Sequence, residues 1–399
     1  MSKDEKIVHV FLNLSSPKVK VGTLMQKNKI IFFEYDDKFL KSTLEISPYM
    51  LPLKEGVFEC SESTFWGVFN DSIPNSLEQL LLDQYLEQKN IDFQDITPLD
   101  KLCYIGNFTM GALSYECKEK YNDFIVNDLF KITCNVLLKN NEENFIKLVT
   151  PISRLSRDMD CKMPIQYHTS EKTMYPISKS SKRDYSQIFV KFILPTDSIE
   201  SGAIEMAYNS MALDAKLEIP GFFMAINKYF SYERYDYQKN KRLHVHSVAG
   251  LLYDDSKTSS LDYDDLLALT LHLTKDVREQ EKVFRVACFN LFSSNRDDHA
   301  KNFSFTMDKN GIWKFAPSYN ITFSNGLNGE HYTKYLGEVK NPTEKHLIDL
   351  GIKHMIKNSE KIIKEVKTSV SNWIKFANEV NLSEETSNLI LSEISKRLN

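Results

Sequence analysis

N-L-F-S-S-N-R-D-D-H-A-K-N-F-S-F-T-M-D-K-N-G-I-W-K-F-A-P-S-Y-N-I-T-F-S, running from Asn290 to Ser324, is the stretch on which the reading of the fold turns. The apolar, glycine-free run Val283 to Phe292 leads into it and predicts a helix that ends near Ser293 and Ser294. A polar knot follows, Asn295 to Asn302, with two adjacent carboxylates, a histidine, a lysine and an amide. Phe303, Phe305 and Met307 then alternate with Ser304 and Thr306, and Asn310-Gly311 precedes a second short run, Ile312 to Phe315. Alternation, an Asn-Gly turn and a returning run predict a β-hairpin. A hairpin brings its ends together, so Asn302 before it and Tyr319-Asn320 after it become neighbours in space.

Asp297 and Asn302 are separated by four residues. That is the D-x-x-x-x-N spacing of a kinase catalytic loop, where the Asp orients a substrate hydroxyl and the Asn holds a metal ion. The spacing alone is common; with the hairpin and second polar loop attached it becomes a candidate catalytic site. Upstream, Ile188-Phe-Val-Lys-Phe192 is an apolar strand with one lysine, Lys191, whose ammonium must reach solvent or an anion. It reads either as an edge lysine that discourages aggregation or as the strand lysine that binds nucleotide phosphates. Ser201 to Tyr208 starts a helix in which Glu205, Met206, Asn209 and Leu213 are spaced to share a face.

The 399 residues suffice for two or three domains and a large core, and 13 Gly and 12 Pro argue against disorder. A net charge of −4 gives no global footprint for nucleic acid or membrane. Six cysteines, Cys60, Cys103, Cys117, Cys134, Cys161 and Cys288, never show C-x-x-C spacing and read as reduced, mostly buried thiols. Ile7 to Leu14 is too short for a signal segment and no run of eighteen apolar residues occurs, so a cytoplasmic protein without a membrane span is expected.

Ile7 to Leu12, Val21 to Met25 and Lys29 to Tyr35 are short β-rich runs. Leu77, Leu80, Leu81 and Tyr85 predict a helix face after Pro74-Asn75, and Phe124 to Leu138 reads as a further helix or mixed segment. His244 and His246 alternate on a strand; a structural role outweighs a two-histidine metal site, because no third ligand is evident. Asp262 to Thr274 and Lys275 to Phe292 read as consecutive helices, and Gly326 to His331 as a polar, mobile-looking loop. Asn341-Pro342-Thr343-Glu344 predicts a helix start capped by Asn341. Ile362, Ile363, Val366, Val370, Trp373, Ile374, Ala377 and Val380 follow helical spacing, as core. Lys353, Lys357, Lys361, Lys364 and Lys367 form a basic set, read first as a solvated helix face.

D-D-H-A-K-N-F-S-F followed by F-A-P-S-Y-N-I-T-F-S resembles the HipA family of serine/threonine kinases, the toxins of bacterial toxin–antitoxin modules. V-G-T-L at 21–24, F-N-D-S-I-P at 69–74 and Gly111 to Tyr115 resemble the same family's N-terminal domain. The resemblance implies an α+β, protein-kinase-like two-lobed fold. Its parts would be an N-terminal α/β accessory domain over 1–150, a nucleotide-binding N-lobe over 151–236 and a helical C-lobe over 237–399.

It further implies ATP and Mg2+ as cofactors, with Asp297 as catalytic base, Lys191 on the phosphates and paired to Glu205, and Asn302 and Asn320 at the metal. His299, Ala300, Lys301 and Asn302 would border the phosphates, beside Tyr319. Tyr229 to Asp236 resembles the hinge, where Glu233, Arg234 and Tyr235 would meet adenine. The phosphate loop would lie within Met163 to Thr173, with His168, Thr169, Ser170, Glu171 and Lys172, and it contains no glycine.

A small DNA-binding antitoxin of HipB type, DNA reached only through it, and a protein substrate such as a translation component are the implied partners. The family's A-P-x-Y-D is here Ala316-Pro317-Ser318-Tyr319-Asn320. Asn320 reads either as native, in a weak kinase or a nucleotide-binding pseudokinase scaffold, or as an Asp→Asn change introduced into a toxic protein.

Overall fold

The structure, a computed structural model, describes residues 5–74, 79, 82–83, 86–92, 95–117, 162–168, 170–171, 173–175, 185–193, 197–225, 227–238, 241–253 and 261–398. Period-two patterning in the first runs builds β1 (Glu5–Leu12), β2 (Val19–Lys27) and β3 (Ile30–Tyr35), which with β4 (Val57–Ser61) and β5 (Leu113–Cys117) form an antiparallel sheet of order β4-β3-β2-β1-β5. Val8, Val10 and Leu12 point to its core, and His9 stays on the exposed face beside Thr23.

Among the described residues this accessory unit also holds the helices α1 (Gly67–Asn70) and α2 (Pro98–Ile105), the latter capped by Thr97 and Asp100. Of the helix expected after Pro74, the named face lies outside the described residues, while Leu82 and Leu86 are buried. The segment Phe124 to Leu138 and the boundary at 150 also lie outside them.

The expectation of six reduced thiols is corrected here. Cys103 and Cys117 form a disulfide, with Cα atoms 5.8 Å apart. The chain reverses after α2 at Gly106 and returns as β5, which lays two distant cysteines side by side in a way that local spacing does not reveal. Cys60 and Cys288 are free, and Cys134 and Cys161 lie outside the described residues.

The second sheet is antiparallel and has the order β7-β6-β8-β10-β9, from β6 (Lys162–His168), β7 (Thr173–Tyr175), β8 (Tyr185–Lys191), β9 (Phe222–Ala225) and β10 (Tyr229–Glu233). Most of the expected phosphate loop is therefore strand, and of the remainder the described residues Ser170 and Glu171 form a turn. Helix α3 (Ser201–Asp214) packs on β9 and β10 and carries Glu205. Leu213, expected on the same face, is exposed, whereas Glu205, Met206 and Asn209 of that set turn inward. This lobe has its own small core of Phe189, Phe230 and Tyr232.

Short strands β11 (Tyr237–Gln238) and β12 (Lys241–Arg242) lead to β13 (His244–Ser247) and α4 (Val248–Leu252). Then come α5 (Tyr263–Thr274), α6 (Val277–Ser293), and the hairpin β14 (Ser304–Met307) and β15 (Trp313–Phe315), which pairs with β13 in the order β13-β14-β15. Helix α6 starts at its Asp276 cap and stops at Ser294, whose φ of 55° opens the catalytic-type loop. The alternation in β14 does not separate core from solvent: all four residues are buried.

The lobe closes with α7 (Glu344–Lys353), α8 (Ser359–Ser371), α9 (Trp373–Glu379) and α10 (Glu384–Leu398). Helix α7 begins two residues later than Asn341 predicts, because Thr343 and His346 make a reciprocal cap. The apolar face from Ile362 breaks at Asn372, and Ile374 falls on the exposed side of α9. Within the basic set, Lys353 pairs with Asp264 and Lys367 with Glu344; Lys357, Lys361 and Lys364 are exposed.

The accessory unit and the helical lobe share one continuous core. They meet where α1 crosses α4, at Gly67 and Gly250. A Cβ on Gly67 would lie 2.1 Å from Gly250 O, so a side chain there would force the two helices apart. Among the described residues no helix is long and apolar enough to cross a membrane.

Candidate active site

A buried polar relay gives the loop after α6 its shape. Asn295 Nδ2 donates to Asn290 Oδ1 (2.9 Å), Asn290 Nδ2 to Tyr263 Oη (2.9 Å), and Tyr263 Oη to Asp298 Oδ2 (3.0 Å). Asp298 also accepts from His331 Nδ1 (3.0 Å) and from the N–H groups of Tyr332 (2.9 Å) and Thr333 (3.2 Å). Of the two adjacent carboxylates, Asp298 thus turns inward and is fully used, and Asp297 is left at the cleft. The same bonds bury His331, so the segment Gly326 to His331 is pinned at its far end instead of hanging free.

Asp297, Asn302 and Asn320 do converge. Together with Ser304, Ser318 and Tyr319 they line one cleft. Asn302 Nδ2 donates to the carbonyl of Asp297 (2.6 Å), which closes the loop on itself, and Asn320 Nδ2 donates to Asn302 Oδ1 (2.9 Å). The Asp297 side chain is 38% exposed, with Oδ1 3.7 Å from His299 Nε2. His299 Nδ1 accepts from the Lys301 N–H (3.2 Å), and its Nε2 also lies 3.3 Å from Asn302 Nδ2, so the ring stands between Asp297 and Asn302. Ala300 is buried in the short turn that follows, and Lys301 is exposed.

Lys191 Nζ lies 3.0 Å from Glu205 Oε2 and 3.2 Å from Oε1, both side chains being 14% exposed. One turn along α3, Asn209 Nδ2 donates to Glu205 O (2.8 Å) and to Ile321 O (3.2 Å), beside Asn320. The helix bearing the glutamate is thereby tied to the segment bearing the amide. Sequence reading placed Asn209 on the Glu205 face without a role. A single polar side chain inside a buried helix face is the signal that could have found it.

The hinge differs from expectation. The N–H groups of Glu233 and Arg234 are spent on Gly221 O (2.7 Å) and Gln187 O (2.8 Å), and the Arg234 side chain turns into the protein to Asp236. One face of Tyr235 is covered by Tyr319, at 5.5 Å between centroids and 17° between planes. Burial raises the hydroxyl pKa of both, Tyr319 to about 12, so they are neutral partners. Glu233 is exposed at the rim. In the β6–β7 turn, buried His168 Nδ1 accepts from the Glu171 N–H (3.1 Å) and faces Ser170 Oγ (3.3 Å), so it shapes the turn; Thr169 and Lys172 lie outside the described residues.

His244 and His246 join the accessory unit to the helical lobe. His244 Nε2 donates to Ile46 O (2.8 Å). His246 Nδ1 donates to Asp71 Oδ2 (2.8 Å), and its Nε2 meets Ser47 Oγ (3.1 Å). The order of contacts is that of a hydrolase triad. Ser47 and His246 are nevertheless 0% exposed, so no substrate reaches the hydroxyl and the group acts as a clamp. Burial alone would raise the Asp71 pKa, but hydrogen bonds from His246 and Ser247 outweigh it and leave it lowered. Among the described residues no three His, Cys, Asp or Glu side chains gather as a metal site.

Asn320 Oδ1 is buried and has no hydrogen-bond partner, next to Asn302 Oδ1, which has a second lone pair to give. With the Asn320 amide turned over, two amide oxygens would be offered to a divalent cation that brings its own phosphate and water ligands. Both are neutral, and magnesium favours carboxylates, so the fit is that of a weak site.

The sequence matches the HipA N-terminal domain over residues 12–116 and the HipA-like C-terminal domain over 160–398. No curated protein matches it at the sequence level. Among solved structures, HipA in the HipA, HipB and operator DNA complex of Shewanella oneidensis MR-1 aligns with a TM-score of 0.67 at 14% identity, over 98% of this chain and 97% of that one. A Helicobacter pylori proinflammatory kinase, CtkA, aligns with a TM-score of 0.38 at 12% identity, over 53% of this chain and 88% of that one. With both domain matches in place and the HipA fold reproduced along nearly its whole length, this chain belongs to the HipA family.

Proposed function

We propose that this chain is an ATP- and magnesium-dependent protein serine/threonine kinase, the toxin of a HipA/HipB-type module. The observation that carries the reading is the Lys191–Glu205 pair, tied through Asn209 to the segment that places Asn320 against the Asp297–Asn302 loop. Lys191, oriented by Glu205, holds the nucleotide phosphates. Asp297 stands at the cleft mouth with its backbone locked by Asn302, and it accepts the hydrogen bond of a serine or threonine hydroxyl. Magnesium, held by Asn302 and Asn320, would neutralise charge on the phosphates. A HipB-type antitoxin with its DNA is the restraining partner, in keeping with the complex from which the Shewanella structure comes. The cytoplasm and a protein substrate in translation are the setting this reading gives it.

A second reading has its own support. The hydrogen bond between the neutral amides of Asn320 and Asn302 occupies the place where a carboxylate would grip metal, which suits a pseudokinase that serves as scaffold in an antitoxin–DNA complex. ATP binding with and without magnesium, and γ-phosphate transfer by this chain and by Asn320→Asp, separate the two. Transfer that appears only in Asn320→Asp favours the scaffold, and absence of ATP binding in both removes the kinase reading.

A further inference from the structure

The chain crosses between its lobes through Arg234-Tyr235-Asp236, and the accessory unit sits on that crossing. Arg234 donates from Nε (3.0 Å) and Nη2 (2.6 Å) to the two carboxylate oxygens of Asp236, and Nη2 also donates to Thr109 O (3.0 Å). Arg242 Nη2 donates to Thr109 O and Oγ1, each at 2.8 Å, and its Nη1 to Asn107 O (3.2 Å). From the other side the Gly111 N–H donates to Asp236 Oδ2 (2.8 Å). Gly111 has φ +79°, and a Cβ there would lie 2.8 Å from Val245 N, so glycine is what permits the approach. Met110 packs on Phe189, Phe230 and Tyr232, the separate core of the nucleotide lobe. The flanks of this loop, α2 and β5, are the ones joined by Cys103 and Cys117.

Simple cohesion between domains needs only apolar packing, which the shared core already supplies. A buried, fork-to-carboxylate pair adds directional rigidity instead, because the planar guanidinium fixes both partners. Between its two members stands Tyr235, stacked on Tyr319. Tyr319 Oη donates to Lys301 O (2.8 Å) and lies 2.6 Å from Ser304 Oγ, one residue before Asn320. A contact path therefore runs from the accessory loop through the hinge to the catalytic-type loop.

We propose that the accessory loop Asn107 to Gly111, with Arg234, Asp236 and Arg242, is a positioning device for the nucleotide cleft. By holding the hinge it sets where Tyr235 meets Tyr319, and so where Asn302 and Asn320 stand relative to Lys191. This rests on the nucleotide-binding reading above.

The test uses the full chain with Arg234→Lys, which keeps charge and loses the fork, Arg242→Lys, and Gly111→Ala. Lys6→Ala is the control, since it removes an ion pair to Asp100 in the first turn of α2, at the end of that helix away from the loop. ATP affinity is read with a fluorescent ribose-labelled ATP, and amide hydrogen exchange is read over 301–304 and 319–321. Losing one charge-assisted bond at the hinge is expected to weaken ATP about tenfold and to speed exchange at Tyr319 to Ile321, with neither change in Lys6→Ala. Should Arg234→Lys fail to fold, Arg242→Lys at the edge of the cluster carries the same expectation. Hinge variants that keep ATP affinity and exchange as in the parent, or a control that loses both equally, overturn the proposal. If the parent itself binds no ATP, the kinase reading falls, and the positioning claim stands or falls on the exchange data alone.

Discussion

Replacing Asn320 by Asp tests the site at its most unusual atom. Residue 320 has φ 54°, a left-handed conformation that Asn and Asp both tolerate, so the backbone does not confound the change. Without metal, the 2.9 Å donor to Asn302 Oδ1 becomes an oxygen facing an oxygen, and the buried, unpartnered Oδ1 becomes part of a carboxylate. A lost hydrogen bond and a partly desolvated charge together cost about 2–3 kcal/mol. The variant should therefore unfold a few degrees below the parent in EDTA. Magnesium binds only the folded site, and at about one hundred times its Kd it returns roughly 2.7 kcal/mol, so excess magnesium should close the gap. The parent, with neutral amides, should respond much less. Phosphoryl transfer should rise by about 10²–10³-fold in the variant, the effect of several kcal/mol at the transition state. Parent and variant that melt together in EDTA, ignore magnesium alike and transfer phosphate at one rate would refute the assignment of 302 and 320 to a metal.

Burial pushes His244 down to about 4, below the unfolded value, so the unfolded chain takes the proton first. Its stabilising contribution is complete above pH 6.5 and is lost as pH falls from there towards 4, by about 3 kcal/mol in all. Urea unfolding across that window should show the slope in the parent and lose it in His244→Gln; equal slopes would count against the burial argument. Asp298→Ala strips acceptors from Tyr332 N–H, Thr333 N–H, His331 and Tyr263, and should destabilise the chain by about 3–5 kcal/mol in chemical denaturation. Lys191→Met should weaken ATP binding more than Glu205→Gln does, a ranking that calorimetry can reverse. Asp297→Asn should keep ATP affinity while lowering transfer by about 10²-fold or more, and unchanged transfer would exclude Asp297 as the base.

Elements with strong local signals were legible in the sequence: the three N-terminal strands, α5 and α6, and the hairpin after Asn302. So was the spacing of Asp297, Asn302 and Asn320, because a hairpin must return its ends to one place. Helix boundaries were less so. Thr343, not Asn341, caps α7, because the reciprocal partner His346 decides between two plausible caps. The phosphate turn shrank because β6 gains a full ladder against β8, an influence no local run contains.

What the chain determined by itself is thus periodic and local: which segments pair, which turn, and which polar residues a hairpin gathers. The spacing already singled out Asp297 of the two adjacent carboxylates, and tertiary structure supplied the reason, with Tyr263 and His331 arriving from distant elements to claim Asp298. Tertiary structure alone decided the disulfide, the clamp at His246 and the seating of Thr109 and Gly111 on the hinge. Each is a contact between residues about a dozen to two hundred positions apart, fixed by how sheets and helices pack and not by any pattern within one of them.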